Sequence, residues 1–162
     1  IVYYEFEKCY NVSQQEILEA FKDLTKHKLW LGIPVIDFAK EFMEILTNLH
    51  TTVIVTSRPE KFMKDVTIDW LKKNEIKYKA LLFMDENNDA DKYQTGLKAG
   101  YKFDVFIEDC YEFAVDILKY DIPVILIDYP WNRKADKKNL IRMQDLRVAL
   151  KYLEKLSNQL LK

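Results

Sequence analysis

Four short apolar runs, at residues 53–55, 80–84, 103–107 and 123–127, alternate with segments of helical period. That alternation limits the fold more than any other feature of the chain. Strands separated by helices read as β-α-β units, with parallel strands and right-handed crossovers. The runs are continuously apolar, as strands covered on both faces are. The expected order is α, α, β, α, β, α, β, α, β, α, an α/β fold with a mostly parallel sheet. Only helices stand before the run at 53–55, so the sheet reads as lacking a first strand.

Local signals place the helices. Ser13 and Glu16 match a capping box, and Ile17, Leu18, Phe21 and Leu24 then make one apolar face up to about His27. Leu29, Trp30 and Leu31 follow, with Gly32 as a break. Pro34 is expected to open the next helix, whose stripe is Phe38, Ala39, Phe42, Ile45, Leu46 and Leu49. A helix over 59–74 should bury Phe62, Val66 and Trp70. Residues 91–98 predict a short helix closed by Gly100, and 112–119 one with Phe113, Ala114 and Ile117 inward. The last helix carries Leu146, Leu150, Leu153, Leu156 and Leu160. Residues 1–10 lean to helix because Val2, Phe6 and Tyr10 recur every four. Residues 85–91 read as an acidic polar loop and 133–138 as a solvated basic one. His27 and His50 read as surface residues at helix ends.

Composition serves mainly to exclude. A chain of 162 residues predicts one domain with a sizeable core. A net charge of -1 argues against a general nucleic-acid surface. No apolar run approaches the roughly 18–20 residues of a membrane span, and no signal-peptide pattern stands at the start. Cys9 and Cys110 are too few for a disulfide scaffold, which points to the cytoplasm. The oligomeric state is not legible. The first residue is Ile1 rather than Met, so either processing or a longer encoded protein is expected.

Three strand ends carry chemistry-bearing residues. Thr56, Ser57 and Arg58 follow the run at 53–55, and Pro59 then suits a helix start. Ligands bind open α/β sheets at the carboxyl ends of strands, so hydroxyls and free amides here suit a phosphate. A hydroxyl-capped helix explains the same residues without a ligand. Glu108 and Asp109 end the third run, and two adjacent carboxylates repel unless a cation sits between them. Hard oxygen donors there suit Mg²⁺, while a helix cap from Asp109 or Cys110 is the plainer alternative. Lys92, with Lys98 behind it, could neutralise phosphate charge or simply be solvated. Tyr111 and Trp131 could line a base pocket or serve as core.

In this order and spacing, a strand ending in Thr-Ser, a later lysine and a strand ending in an acidic pair resemble motifs two to four of the haloacid dehalogenase-like hydrolases. Thr56-Ser57-Arg58-Pro59, Phe106-Ile107-Glu108-Asp109, Pro123-Val124-Ile125-Leu126 and Tyr129-Pro130-Trp131-Asn132 resemble the 5'(3')-deoxyribonucleotidase-like nucleotidases in particular. The resemblance covers residues 34–162. It implies a Rossmann-like three-layer sandwich over residues 1–162 as a single domain, with 1–33 a small helical cap segment and 34–162 the α/β core. It implies Mg²⁺-dependent hydrolysis of a phosphomonoester through an aspartyl-phosphate. By the same resemblance Thr56 and Lys92 are catalytic, and Thr56, Ser57, Arg58 and Lys92 bind substrate. Asp109 holds the metal with Glu108 beside it, and Lys98 stands in for Lys92 if the alignment slips. The family's first motif, a strand ending in Asp-x-Asp that supplies nucleophile and acid/base, has no counterpart before Val53. The expectation is that this chain starts just downstream of it; the alternative is a non-catalytic binding or regulatory module. A receiver-like domain fits less well, because its acids cluster near its first strand.

Overall fold

The computed structural model describes residues 6–85, 91–134 and 137–160. The reading of residues 1–5 as helix and most of the acidic loop (86–90) lie outside the described residues. The chain divides into two compact units, Ile1–Tyr101 and Lys102–Lys162.

The first unit opens with helices α1 (Phe6–Tyr10) and α2 (Gln14–Lys26). The capping box holds as expected. Glu16 accepts from the Ser13 amide at 2.8 Å and from its hydroxyl at 2.7 Å, and the Glu16 amide donates back at 3.3 Å. Residues Leu29–Gly32 form a 3-10 turn. Helix α3 (Ala39–Leu49) starts five residues later than Pro34. The Ala39 amide closes a turn onto the Ile36 carbonyl at 3.1 Å, and Phe38 takes a left-handed conformation with φ 67°. That turn, not the proline, sets the entry. Phe42 and Leu46 are buried as the stripe predicts, but Leu49 is 61% exposed at the last turn.

Strand β1 (Val53–Thr56) pairs in parallel with β2 (Ala80–Phe83), with Thr56 opposite Phe83. Both are half-buried rather than fully buried, and among the described residues they form a two-stranded sheet. Between them runs α4 (Glu60–Lys73), capped by Pro59 and Asn74. Its buried face is Met63, Val66, Thr67 and Leu71, one position round from the expected stripe. Phe62 and Trp70 flank that face. Two side chains of α4 hold the segment around the 3-10 turn by its backbone. The Trp70 indole donates to the Ile33 carbonyl at 2.8 Å and the Lys73 ammonium to the Leu31 carbonyl at 2.7 Å. Helix α5 (Lys92–Lys98) packs on β1 and β2. Asp91 caps it by accepting from the Gln94 amide at 2.8 Å. It ends in a Schellman motif: the Tyr101 amide reaches the Gly96 carbonyl and Gly100 that of Leu97, both at 2.9 Å, with Gly100 at φ 85°.

The second unit is a three-stranded parallel sheet in the order β3-β4-β5. Strand β3 (Phe106–Glu108) starts three residues later than the apolar run suggested. Helix α6 (Tyr111–Leu118) buries Ala114 and Ile117 completely, as expected, and leaves Phe113 half-buried. Strand β4 (Val124–Ile127) is buried along its whole length. A 3-10 turn, Pro130–Asn132, leads on to β5 (Leu140–Met143), a strand absent from the expected order. Its apolar run is two residues long before Arg142 interrupts it, too short to signal a strand. Helix α7 (Leu146–Leu160) buries Ala149, Leu150 and Leu153. The α/β class with parallel sheets flanked by helices is therefore as the sequence indicated. Among the described residues no helix is long and apolar enough to cross a membrane.

Candidate active site

In the first unit the candidate residues follow the carboxyl end of β1. Thr56 is the last strand residue, half-buried, and Ser57 is exposed. The Thr56 hydroxyl oxygen accepts from the Arg58 amide at 3.2 Å, closing a small turn before α4. With that lone pair used, the hydroxyl proton is left to donate elsewhere.

Arg58 folds back from the turn. One guanidinium nitrogen donates to the Thr67 hydroxyl on α4 at 3.1 Å, and the group lies over the Trp30 ring, 5.8 Å from its centroid. Trp30 is itself fixed, donating to the Thr25 hydroxyl at 2.9 Å and meeting Phe21 edge-on at 5.0 Å. Among the described residues no carboxylate pairs with Arg58. Burial pushes its guanidinium below the ordinary arginine range. Lys92 is the first residue of α5, half-buried, whereas Lys98 in the last turn is exposed.

Glu108 and Asp109 lie in the second unit. Glu108 ends β3 with its side chain 6% exposed, while Asp109 follows it at the surface. Cys110, one of the two cap candidates, holds the N-cap position of α6 and makes no side-chain cap hydrogen bond. Its thiol lies 3.6 Å from Glu112 and is pushed up to about 11, chiefly by burial. Native Cys110 should therefore react with iodoacetamide at pH 8 at least about 100-fold more slowly than in urea, as mass spectrometry reads. Half-exposed Cys9 serves as internal control. Fast native labelling of Cys110 would contradict its burial.

Sequence reasoning passed over a polar network behind these acids. Asp128 follows β4 and lies between two guanidinium groups, Arg133 at 2.9 Å and Arg142 at 3.1 Å. Arg133's hydrogen bonds, then the charges of both arginines, hold its carboxyl below the usual carboxylate range. The Asn132 side chain is fully buried and bonded to Arg142 at 2.8 Å. Trp131 stacks on Tyr129 with centroids 4.4 Å apart and donates to the Asp109 carbonyl at 3.1 Å. Burial, then the nearby Asp109 charge, raises the Tyr129 phenol. Tyr111 carries the Lys134 ammonium over its ring at 5.5 Å. The basic stretch is exposed as expected at Arg133, Lys134, Lys137 and Lys138, with Arg133 paired to Asp128 and Lys134 to Glu112. Arg142 was illegible because its strand was. His27 and His50 do stand exposed at the ends of α2 and α3.

Among the described residues no group of three or more histidine, cysteine, aspartate or glutamate side chains is gathered. Thr56, Ser57, Arg58 and Lys92 share the first unit, and Glu108 and Asp109 the second.

Comparison with known proteins adds a family. Nucleotidase CA_C3379 of Clostridium acetobutylicum is 31% identical over 139 residues, which cover 86% of this chain and 69% of that protein. This chain belongs to that nucleotidase family. "Putative nucleotidase YqfW" of Bacillus subtilis is 22% identical over 160 residues, covering 98% of this chain and 79% of that protein. "Putative nucleotidase BH1399" of Halalkalibacterium halodurans is 22% identical over 143 residues, covering 86% and 69%. No family model matches the chain, and no solved structure matches it. The nucleotidase family membership agrees with the resemblance read from the Thr56 and Asp109 segments.

Proposed function

We propose that the chain is the haloacid dehalogenase-like body of a Mg²⁺-dependent nucleotidase, hydrolysing the phosphomonoester of a nucleotide. Arg58 carries the reading. A cation drawn partly out of water is costly unless an anion answers it, and no described carboxylate does. A phosphate group answers it well, because a guanidinium meets phosphate oxygens bidentately. The Thr56 hydroxyl, which accepts from the Arg58 amide, keeps its own proton for donation to an anion at the end of β1. The family membership makes a nucleotide phosphate the natural choice.

Mg²⁺ fits the second unit's donors. Glu108 and Asp109 are hard oxygen ligands at one strand end, matching the one or two protein carboxylates such an ion takes beside its waters. Such an ion would supply positive charge at this strand end. The remaining work belongs to side chains. Thr56 and Ser57 orient the phosphoryl group, Arg58 holds it, and Lys92 offsets the charge that develops on it. Residues 1–52 hold no Asp-x-Asp, so these groups account for binding and charge stabilisation and not for the nucleophile.

The test is phosphate release by the natural full-length protein from nucleoside monophosphates, sugar phosphates and p-nitrophenyl phosphate. Release should require Mg²⁺, stop with chelator and with Asp109→Asn, and favour nucleotides about tenfold or more in kcat/KM. Nucleotide binding by calorimetry with no phosphate release from any ester would sink the reading in favour of a binding module.

A further inference from the structure

The polar network behind the acidic strand end has its centre at Asn132. Its amide is 0% exposed and makes four hydrogen bonds, the full capacity of the group. Nδ2 donates to the Asp109 carbonyl at 2.8 Å and to the Ile127 carbonyl at 2.7 Å. Oδ1 accepts from the Tyr129 amide at 3.2 Å and from Arg142 at 2.8 Å. The orientation of the amide is not arbitrary. Turned over, it would face two carbonyls with its oxygen and two N–H groups with its nitrogen.

A buried asparagine that served only its own turn would bond within residues 129–133. This one reaches 23 residues back to the peptide that leaves β3. There the Asp109 carbonyl receives a second donor, the Trp131 indole at 3.1 Å. Arg142, which seats Oδ1, also donates to the Asn132 carbonyl at 3.2 Å and pairs with Asp128. One buried amide thus ties together the ends of β3 and β4, the turn between β4 and β5, and β5 itself. Of the backbone it holds, the part nearest to candidate chemistry is the Glu108–Asp109 segment.

We propose that Asn132 is a positioning residue that clamps the Asp109 backbone and so sets the Glu108–Asp109 pair for a divalent cation. The proposal rests on the Mg²⁺ reading above. Groups that orient metal ligands from behind change metal affinity by about 10- to 100-fold when removed. Asn132→Asp is the matched variant. It keeps the shape and an acceptor for Arg142, but sets oxygen in place of the two donors.

Mg²⁺ binding by the natural full-length protein, read by calorimetry, tests it beside Mg²⁺-dependent phosphate release. Asn132→Asp should weaken Mg²⁺ by about tenfold or more, with kcat at saturating Mg²⁺ within about threefold and an unchanged circular dichroism spectrum. Trp131→Phe removes only the second donor and should weaken Mg²⁺ by a smaller factor, about threefold; it carries the test if Asn132→Asp does not fold. A wild type that binds Mg²⁺ beside folded variants of undiminished affinity overturns this inference alone. So does a fall in kcat with Mg²⁺ affinity unchanged. A wild type that binds no Mg²⁺ overturns the functional reading and this inference together.

Discussion

Thr56→Val should lower kcat/KM for the preferred nucleotide by about 10²- to 10³-fold, the usual cost of removing one preorganised donor from a developing negative charge. Valine keeps the β-branched shape at the end of β1, so pairing with Phe83 survives. What goes is the hydroxyl. The Arg58 amide loses its acceptor, and in the proposed mechanism the phosphoryl group loses a donor. Because Thr56 is only half-buried, the stability cost should stay near about 1 kcal/mol, one net hydrogen bond. Thr56→Ser restores the hydroxyl and should recover activity to within about tenfold of wild type. The decisive comparison is steady-state hydrolysis by the two variants of the full-length protein beside their urea midpoints. Wild-type turnover by Thr56→Val would remove the hydroxyl from the mechanism.

Ile125→Ala should be the most damaging change to stability, at about 2–5 kcal/mol. Ile125 is 0% exposed in the central strand of the second unit. It lies in register with Ile107 on β3 and Ile141 on β5, so three isoleucines share one row across the sheet. Helices α6 and α7 both pack on β4. Truncation removes the transfer energy of three carbons and leaves a cavity the surrounding sheet cannot close. Against a typical total of about 5–15 kcal/mol, that is a large share. Urea unfolding should show a lower midpoint at unchanged slope. Leu49→Ala, at a residue 61% exposed, should shift stability by less than about 0.5 kcal/mol. Equal effects of the two substitutions would contradict the assigned core.

Local physics and periodicity made several elements legible in the chain. Ser13 and Glu16 announced the start of α2, Gly100 the end of α5, and Pro59 the start of α4, because caps and glycine turns depend on neighbours a few residues away. Continuous apolar runs found β1 to β4, since burial of a parallel strand is written in its own side chains. The hydroxyl turn at Thr56 and the acidic end of β3 were legible for the same reason: each is a contiguous string.

Features that depend on distant partners emerged on folding. Strand β5 exists because Leu140–Met143 finds an edge of β4 to pair with, not because its own residues demand it. The α4 face turned one position round because packing, not the four-residue rhythm of its aromatics, chose the buried side. Arg58 stands in the chain beside Thr56 and Ser57, yet Thr67 and Trp30, 9 and 28 positions away, fold it back and partly dry it. Asn132 reads as one more polar turn residue until the end of β3, 23 residues earlier, arrives at its amide. Hydrogen bonds across such separations form only once the backbone has been brought together, so no window of sequence contains them.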